Sequence, residues 1–209
     1  MTVAGADGCR RGWAVATRDG VGVIPSLTVL TSQYARIGVD MPVTLSGTWG
    51  RRCDDEARRL LAGRAATIFS APPRALIGFT DYPSANAACR DLFGRGLTRQ
   101  TFNLLPKIRE VDAIAQRHPG LLVEVHPECS FRVMSGRDLA PKRTPHGFAQ
   151  RRALVEAEFG PVVTALPGAA RDDVLDAYAV LWSAERYERG EHLVLGGTHA
   201  GDTSMVVVV

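Results

Sequence analysis

Apolar and polar residues alternate along the first thirty positions, and the alternation breaks at turns that contain glycine. Thr2–Ala6 reads as a first strand, and Gly12–Thr17 as a second with Trp13 and Val15 on one face. Val21–Leu30 reads as a third. Arg18-Asp19-Gly20 between the second and third is a hairpin signal, so the chain opens as an antiparallel meander. Thr31–Tyr34 is a brief turn. Arg36–Pro42 is a short apolar run that ends on Asp40 and is broken by Pro42, the pattern of a buried central strand.

The period then lengthens. Arg52–Leu61 reads as a helix closed by Gly63, and Arg64–Thr80 is irregular around Pro72-Pro73. A helix capped by Ser84 runs to about Phe93. Thr98–Leu105 and Pro106–His118 are helical, with Pro106 as a first-turn residue or a kink. Together, residues 47–118 form a largely helical insertion across one face of a sheet. Leu121–Glu128 is a later strand stopped by Pro127, followed by a short helix over Glu128–Met134. Thr144, Pro145, Phe159 and Gly160 stand in the order of helix start and stop signals. Asp172 opens a last helix that reaches about Arg189. The tail Gly196–Val209 is expected to add an edge strand.

Length and composition narrow the class without naming a function. The chain has 209 residues, of which 45% are hydrophobic, enough for one domain with a full core. A net charge of +3 is too small to argue for nucleic acid by itself. All but two of the 25 basic residues are arginine, the exceptions being Lys107 and Lys142. Cys9, Cys53, Cys89 and Cys129 form no C-x-x-C pair, which argues against a zinc knuckle. No leader segment and no apolar run of about 18 residues is visible, so a cytoplasmic, reduced protein away from the membrane is expected.

The candidate chemistry lies in carboxylates. Asp7 and Asp40 end strands expected to be neighbours, about 4.8 Å apart. Glu124 lies on the later strand. Asp173 and Asp176 share a helix face that Ala177, Val180 and Ala184 continue toward the interior. Burying uncompensated carboxylates together is costly, and hard cations such as Mg²⁺ or Mn²⁺ offset the repulsion through oxygen ligands. These acids are therefore expected to converge on a divalent metal. Each also has a plainer reading: a turn residue for Asp7, an arginine partner for Glu124, a helix cap for Asp172. His126 reads as a satisfied strand-end histidine, Cys9 as a small turn residue and Trp13 as core. Arg51, Arg52, Arg58 and Arg59 read as a solvated helix face. Arg11, Lys107 and Lys142 are candidate phosphate contacts.

The order of elements and acids resembles the ribonuclease H fold, and within it the DUF429 family of predicted ribonuclease H-like nucleases. The segments that carry the likeness are GADGCRRGWAVA from Gly5, GVDMPV from Gly38, RRCDDEAR from Arg51, LLPKIREVD from Leu104, VEVHPE from Val123 and DDVLDAYA from Asp172. The resemblance implies an α/β fold: a ribonuclease H-like mixed five-stranded sheet flanked by helices, with a helical insertion. By that likeness Asp7 is the first-strand acid, Asp40 the fourth-strand acid and Glu124 the fifth-strand acid. Asp173 and Asp176 match the paired helix acids of the Holliday-junction resolvase branch. The long helix usual between strands three and four is missing, so Asp40 or Glu124 would stand in for its acid.

The implied activity is hydrolysis of phosphodiester bonds in DNA or RNA by a two-metal mechanism, with Mg²⁺ or Mn²⁺ ions about 4 Å apart and bridged by Asp7. The alternative is a non-catalytic nucleic-acid or protein-binding module on the same fold. A third reading starts from the opening Asp-Gly turn, which is similar to phosphate-binding turns of the actin-like ATPase and sugar-kinase superfamily. Those enzymes pair two such domains, which here only a homodimer would supply.

Overall fold

The computed structural model describes residues 2–197 and the backbone of Met205–Val207. Strands β1 (Val3–Cys9), β2 (Gly12–Thr17) and β3 (Gly20–Ile24) form the expected antiparallel meander. Strands β4 (Arg36–Val39) and β5 (Leu122–Glu124) add in parallel on the other side of β1. The result is a mixed five-stranded sheet in the order β3-β2-β1-β4-β5, flanked by helices.

Several boundaries differ from the sequence expectation. β1 continues to Cys9 because its ladder with β2 pairs Asp7 with Ala14, Gly8 with Trp13 and Cys9 with Gly12. Asp7 is thus inside the hairpin rather than in its turn. Gly12 closes that turn at φ +127°, where a Cβ would also fall 2.7 Å from Pro25 Cα. β3 stops at Ile24 because Pro25 brings no N–H to the ladder. Ser26 then caps a 3₁₀ turn over Leu27–Leu30, whose two leucines are buried.

Side-chain alternation gives the sheet two packed faces. On one, Ala4, Ala6, Trp13, Val15, Ile37 and Val39 meet Val111 and Ile114 of the long helix α3 (Arg99–Arg117). Helices α1 (Arg52–Leu60) and α2 (Tyr82–Phe93) precede it. The cap of α2 is Asp81, not Ser84: its carboxylate accepts the Ser84 N–H at 2.9 Å, so the helix starts earlier. α3 runs unbroken through Pro106, an exposed position, from its Thr98 cap.

The other face carries α4 (Pro127–Ser135), α5 (Pro145–Phe159) and α6 (Arg171–Glu188). The seat of α6 is a pair of register partners, Gly5 and Gly38. A Cβ on Gly5 would lie 2.6 Å from Leu181 Cα, and one on Gly38 would lie 2.8 Å from Val180 Cγ1. Two residues without side chains let the helix backbone rest directly on β1 and β4.

β5 ends at Glu124, shorter than expected, with α4 starting at Pro127. The tail strand β7 (Met205–Val207) pairs with β6 (Leu193–Leu195) in a separate two-stranded sheet, so it does not extend the main one. The rest of the expected tail strand, residues 198–204 and 208–209, lies outside the described residues. Among the described residues no helix is long and apolar enough to cross a membrane.

Candidate functional site

The glycine seat decides where the acids go. Asp7 follows Gly5 by two residues and Asp40 follows Gly38 by two, so both side chains leave the sheet on the α6 face. Asp40 stays in line because its N–H donates to Ala6 O at 3.0 Å. Asp176 immediately precedes Ala177, which lies over Gly5. Asp7, Asp40 and Asp176 therefore meet at the C-terminal end of two parallel strands, with Asp7 only 7% and Asp176 2% exposed.

Burial dominates their electrostatics. It pushes the Asp7 carboxyl well above the usual carboxylate range, and the charges of Asp40, Asp176 and Asp173 add to the rise. Burial lifts Asp40 to about 6 and Asp176 to about 7, in both cases against the pull of the Lys142 ammonium. The Asp7 and Asp40 side chains face each other, and that contact also works against burial at Asp40. Lys142 Nζ donates to Asp176 Oδ2 at 2.6 Å and lies 3.5 Å from Asp172. Asp176 Oδ1 is buried with no hydrogen-bond partner among the described residues.

Asp173 stands at the mouth of this cluster. Its Oδ2 accepts the Ala170 N–H at 2.8 Å. The capping task expected of Asp172 thus falls to Asp173, because the helix starts one residue earlier, while Asp172 turns to Lys142. The acids line a cavity of about 670 Å³ that Lys142, His126 and Glu128 also line.

Glu128 is the residue that sequence reasoning passed over; its only signal was the His126-Pro127-Glu128 run after β5. It is buried, and Arg151, itself 1% exposed, donates to both its oxygens at 2.7 and 2.9 Å. Its charge helps raise Asp40 and Asp176. Arg151 also donates to Ala140 O, and Arg64 donates to Leu139 O and Ala140 O. These two arginines pin the segment that presents Lys142.

Glu124 lines the same cavity, but from the other side of the sheet, where Arg51 holds it. Its register partner on β4 is Val39, whose side chain packs on the α3 side, so Glu124 leaves the sheet on the opposite face from Asp7 and Asp40. There Arg51 donates to both its oxygens at 2.6 and 2.8 Å and to Asp54 at 2.6 Å, while the Val43 N–H adds a bond at 2.8 Å. Arg51 is 3% exposed, so it is not part of a solvated helix face. Burial opposes its charge, but Glu124 and Asp54 outweigh burial and push its pKa further up. Cys53, Asp54 and Glu124 bring ligand atoms within 4.8 Å of one another, a buried group that could hold a metal ion. The Arg51 guanidinium already supplies the positive charge at that place.

Burial pushes the His126 imidazole down from its ordinary value, against the charges of Glu128 and Asp176; its Nδ1 has no partner among the described residues. Arg11 sits on the β1–β2 turn, its N–H donating to Gly168 O at 3.2 Å. Lys107 donates to Gly12 O and lies 4.6 Å over the Trp13 ring. Neither Arg11 nor Lys107 is among the described lining of the acid cavity. Trp13 is wholly buried, its Nε1 donating to Glu110 at 3.0 Å. Of the three basic candidates, Lys142 pairs directly with the acids, while the Lys107 ammonium reaches Asp173 through its charge.

Among known proteins, no curated protein and no solved structure matches this chain. The family described as "Protein of unknown function (DUF429)" matches residues 5–200. That span runs from the Gly5 seat through the whole acid cluster and α6, and with nearly the entire chain matched, the protein belongs to the DUF429 family.

Proposed function

We propose that the chain is a metal-dependent phosphodiesterase of ribonuclease H-like architecture that acts on nucleic acid. The observation that carries this is the convergence of Asp7, Asp40 and Asp176 in a cavity where Lys142 offsets only part of their charge. The antiparallel meander followed by two parallel strands, with acids at the ends of β1 and β4, supports the ribonuclease H-like part.

The donor set is all carboxylate oxygen, as Mg²⁺ and Mn²⁺ require, and Asp176 Oδ1 is a buried acceptor without a partner among the described residues. Asp7, Asp40 and Asp176 would hold the ions, with Asp173 at the mouth. Bound divalent ions supply an activated water and a counter-charge for the leaving oxygen. A cation held there would favour the deprotonated forms of Asp7 and Asp40. Lys142 lines the same cavity, where its ammonium would meet a phosphate oxygen if Asp176 served as a metal ligand. Arg151 and Arg64 keep Lys142 in place. Glu124 serves at one remove, by holding Arg51 and the Val43 backbone at the cavity wall.

The test is incubation of native, Asp7→Asn and Asp176→Asn protein with labelled DNA and RNA in Mn²⁺. Cleavage by the native protein that both variants lose is expected. Equal cleavage by Asp7→Asn would overturn the mechanism. One observation favours a second reading, a binding module without turnover: Lys142 already pairs with Asp176, and a cluster neutralised from within needs less metal. That reading predicts binding with a steep salt dependence and no cleavage in Mn²⁺.

A further inference from the structure

The acid cavity has a second side. Phe69, Leu104 and Met41 also line it, and they come from the opposite face of the sheet to α6. Phe69 and Leu104 are partly buried against Leu105 and Ile108, so this apolar wall is backed by core rather than hung on a loose loop. A volume of about 670 Å³ is that of a small-ligand pocket. It has room for a nucleotide with its phosphate toward the acids and its base on the apolar wall.

A second hollow, of about 490 Å³, adjoins the first and shares Lys142, Arg143 and Asp172 with it. Arg171 completes it, stacked 4.0 Å over the Phe148 ring. Asp172 is the one acid there, and it faces Lys142. Arg143 has no ion-pair partner among the described residues. The acid cavity therefore continues into a cationic track with an aromatic floor.

We infer that the substrate is single-stranded nucleic acid, one base lying against Phe69 and Leu104 and the neighbouring phosphates running along Lys142, Arg143 and Arg171. This rests on the phosphodiesterase reading above and narrows it. A base inside a duplex has both faces stacked on its neighbours and cannot present one to a phenyl ring. A single strand can splay a base onto such a wall while its backbone follows a row of cations.

The experiment is fluorescence anisotropy with short labelled DNA and RNA, each as a single strand and as a blunt duplex, in Ca²⁺ and over a range of salt. The variants are Phe69→Leu, which keeps apolar packing and removes the ring, Phe69→Tyr, which keeps the ring, and Arg143→Ala with Arg171→Ala. Thermal midpoints check that each variant folds. Single strands are expected to bind at least about tenfold more tightly than duplexes, and Phe69→Leu to lose about tenfold while Phe69→Tyr retains binding. Each arginine removed should lower the slope of log K against log salt by about 0.7. Duplex binding as tight as single-strand binding, or a folded Phe69→Leu protein with native affinity, overturns the inference. Cleavage of bis(p-nitrophenyl) phosphate in Mn²⁺ separates the two readings. If that persists while no oligonucleotide binds, the single-strand inference fails and the phosphodiesterase chemistry stands; if both are absent, both fail.

Discussion

A carboxyl group raised by burial binds a proton on folding, and this gives the acid cluster a signature in stability. Asp40 at about 6, Asp176 at about 7 and Asp7 higher than its ordinary value all hold protons that the unfolded chain releases near pH 4. Between about pH 4 and pH 7 the native state therefore binds more protons than the unfolded state, and stability falls as pH rises. Urea unfolding in EDTA should give a larger unfolding free energy at pH 5 than at pH 8, by on the order of a few kcal/mol. Asp7→Asn should be more stable than native at pH 8 and show a flatter slope. A native midpoint that climbs with pH would mean the cluster is not protonated. Arg51 behaves in the opposite way. Arg51→Met would leave Glu124 and Asp54 buried without a counter-charge, at a cost of about 3–5 kcal/mol by urea unfolding. Arg51→Lys cannot replace the fork of donors and should recover only part of that.

At the scale of elements, everything at the site depends on how low α6 sits. Gly5 and Gly38 are neighbours across β1 and β4, and both are covered by α6 backbone or short side chains. Gly5→Ala places a methyl against Leu181 and Ala177 main chain, which cannot turn aside as a side-chain tip can. The helix must lift, at a cost of about 1–3 kcal/mol or more. Lifting it separates Asp176 and Asp173 from Asp7 and Asp40, so any gain in thermal midpoint from Mn²⁺ should shrink in the same variant. Gly22→Ala on β3 is the control, since a Cβ there meets nothing within 4 Å. Its midpoint should stay close to native. Equal effects at the two glycines would show that α6 height is not what matters.

For the molecule as a whole, a cation that binds only the folded state at about 100 times its Kd adds about 2.7 kcal/mol. If Asp7, Asp40 and Asp176 hold Mn²⁺, thermal unfolding should shift upward with Mn²⁺ and the shift should vanish in Asp7→Asn. The pH trend should also invert. Metal ligation needs the carboxylates deprotonated, so in saturating Mn²⁺ stability should rise from pH 5 to pH 8, where the metal-free protein loses it. A Mn²⁺ response kept by Asp7→Asn but removed by Asp54→Asn would move the metal to the buried group around Arg51 instead.

Features under the control of local periodicity are legible in the chain. Strand period two placed Trp13 and Val15 on one face, and the run ending at Asp40 read correctly as a central strand beside the first. Helical spacing put Asp173 and Asp176 on the stripe continued by Ala177, Val180 and Ala184, and Thr144 with Pro145 marked the start of α5. Which faces meet follows from the folded arrangement. A strand pattern shows that Glu124 alternates with its neighbours, but its side follows from the parallel register with Val39, and one step of register reverses it. Arg51 looked solvated because its burial comes from Glu124, 73 positions away. The Gly5–Gly38 seat and the arginine clamp that presents Lys142 join residues distant in the chain through close backbone approach and carbonyl bonds, and such contacts leave no period in the sequence to read.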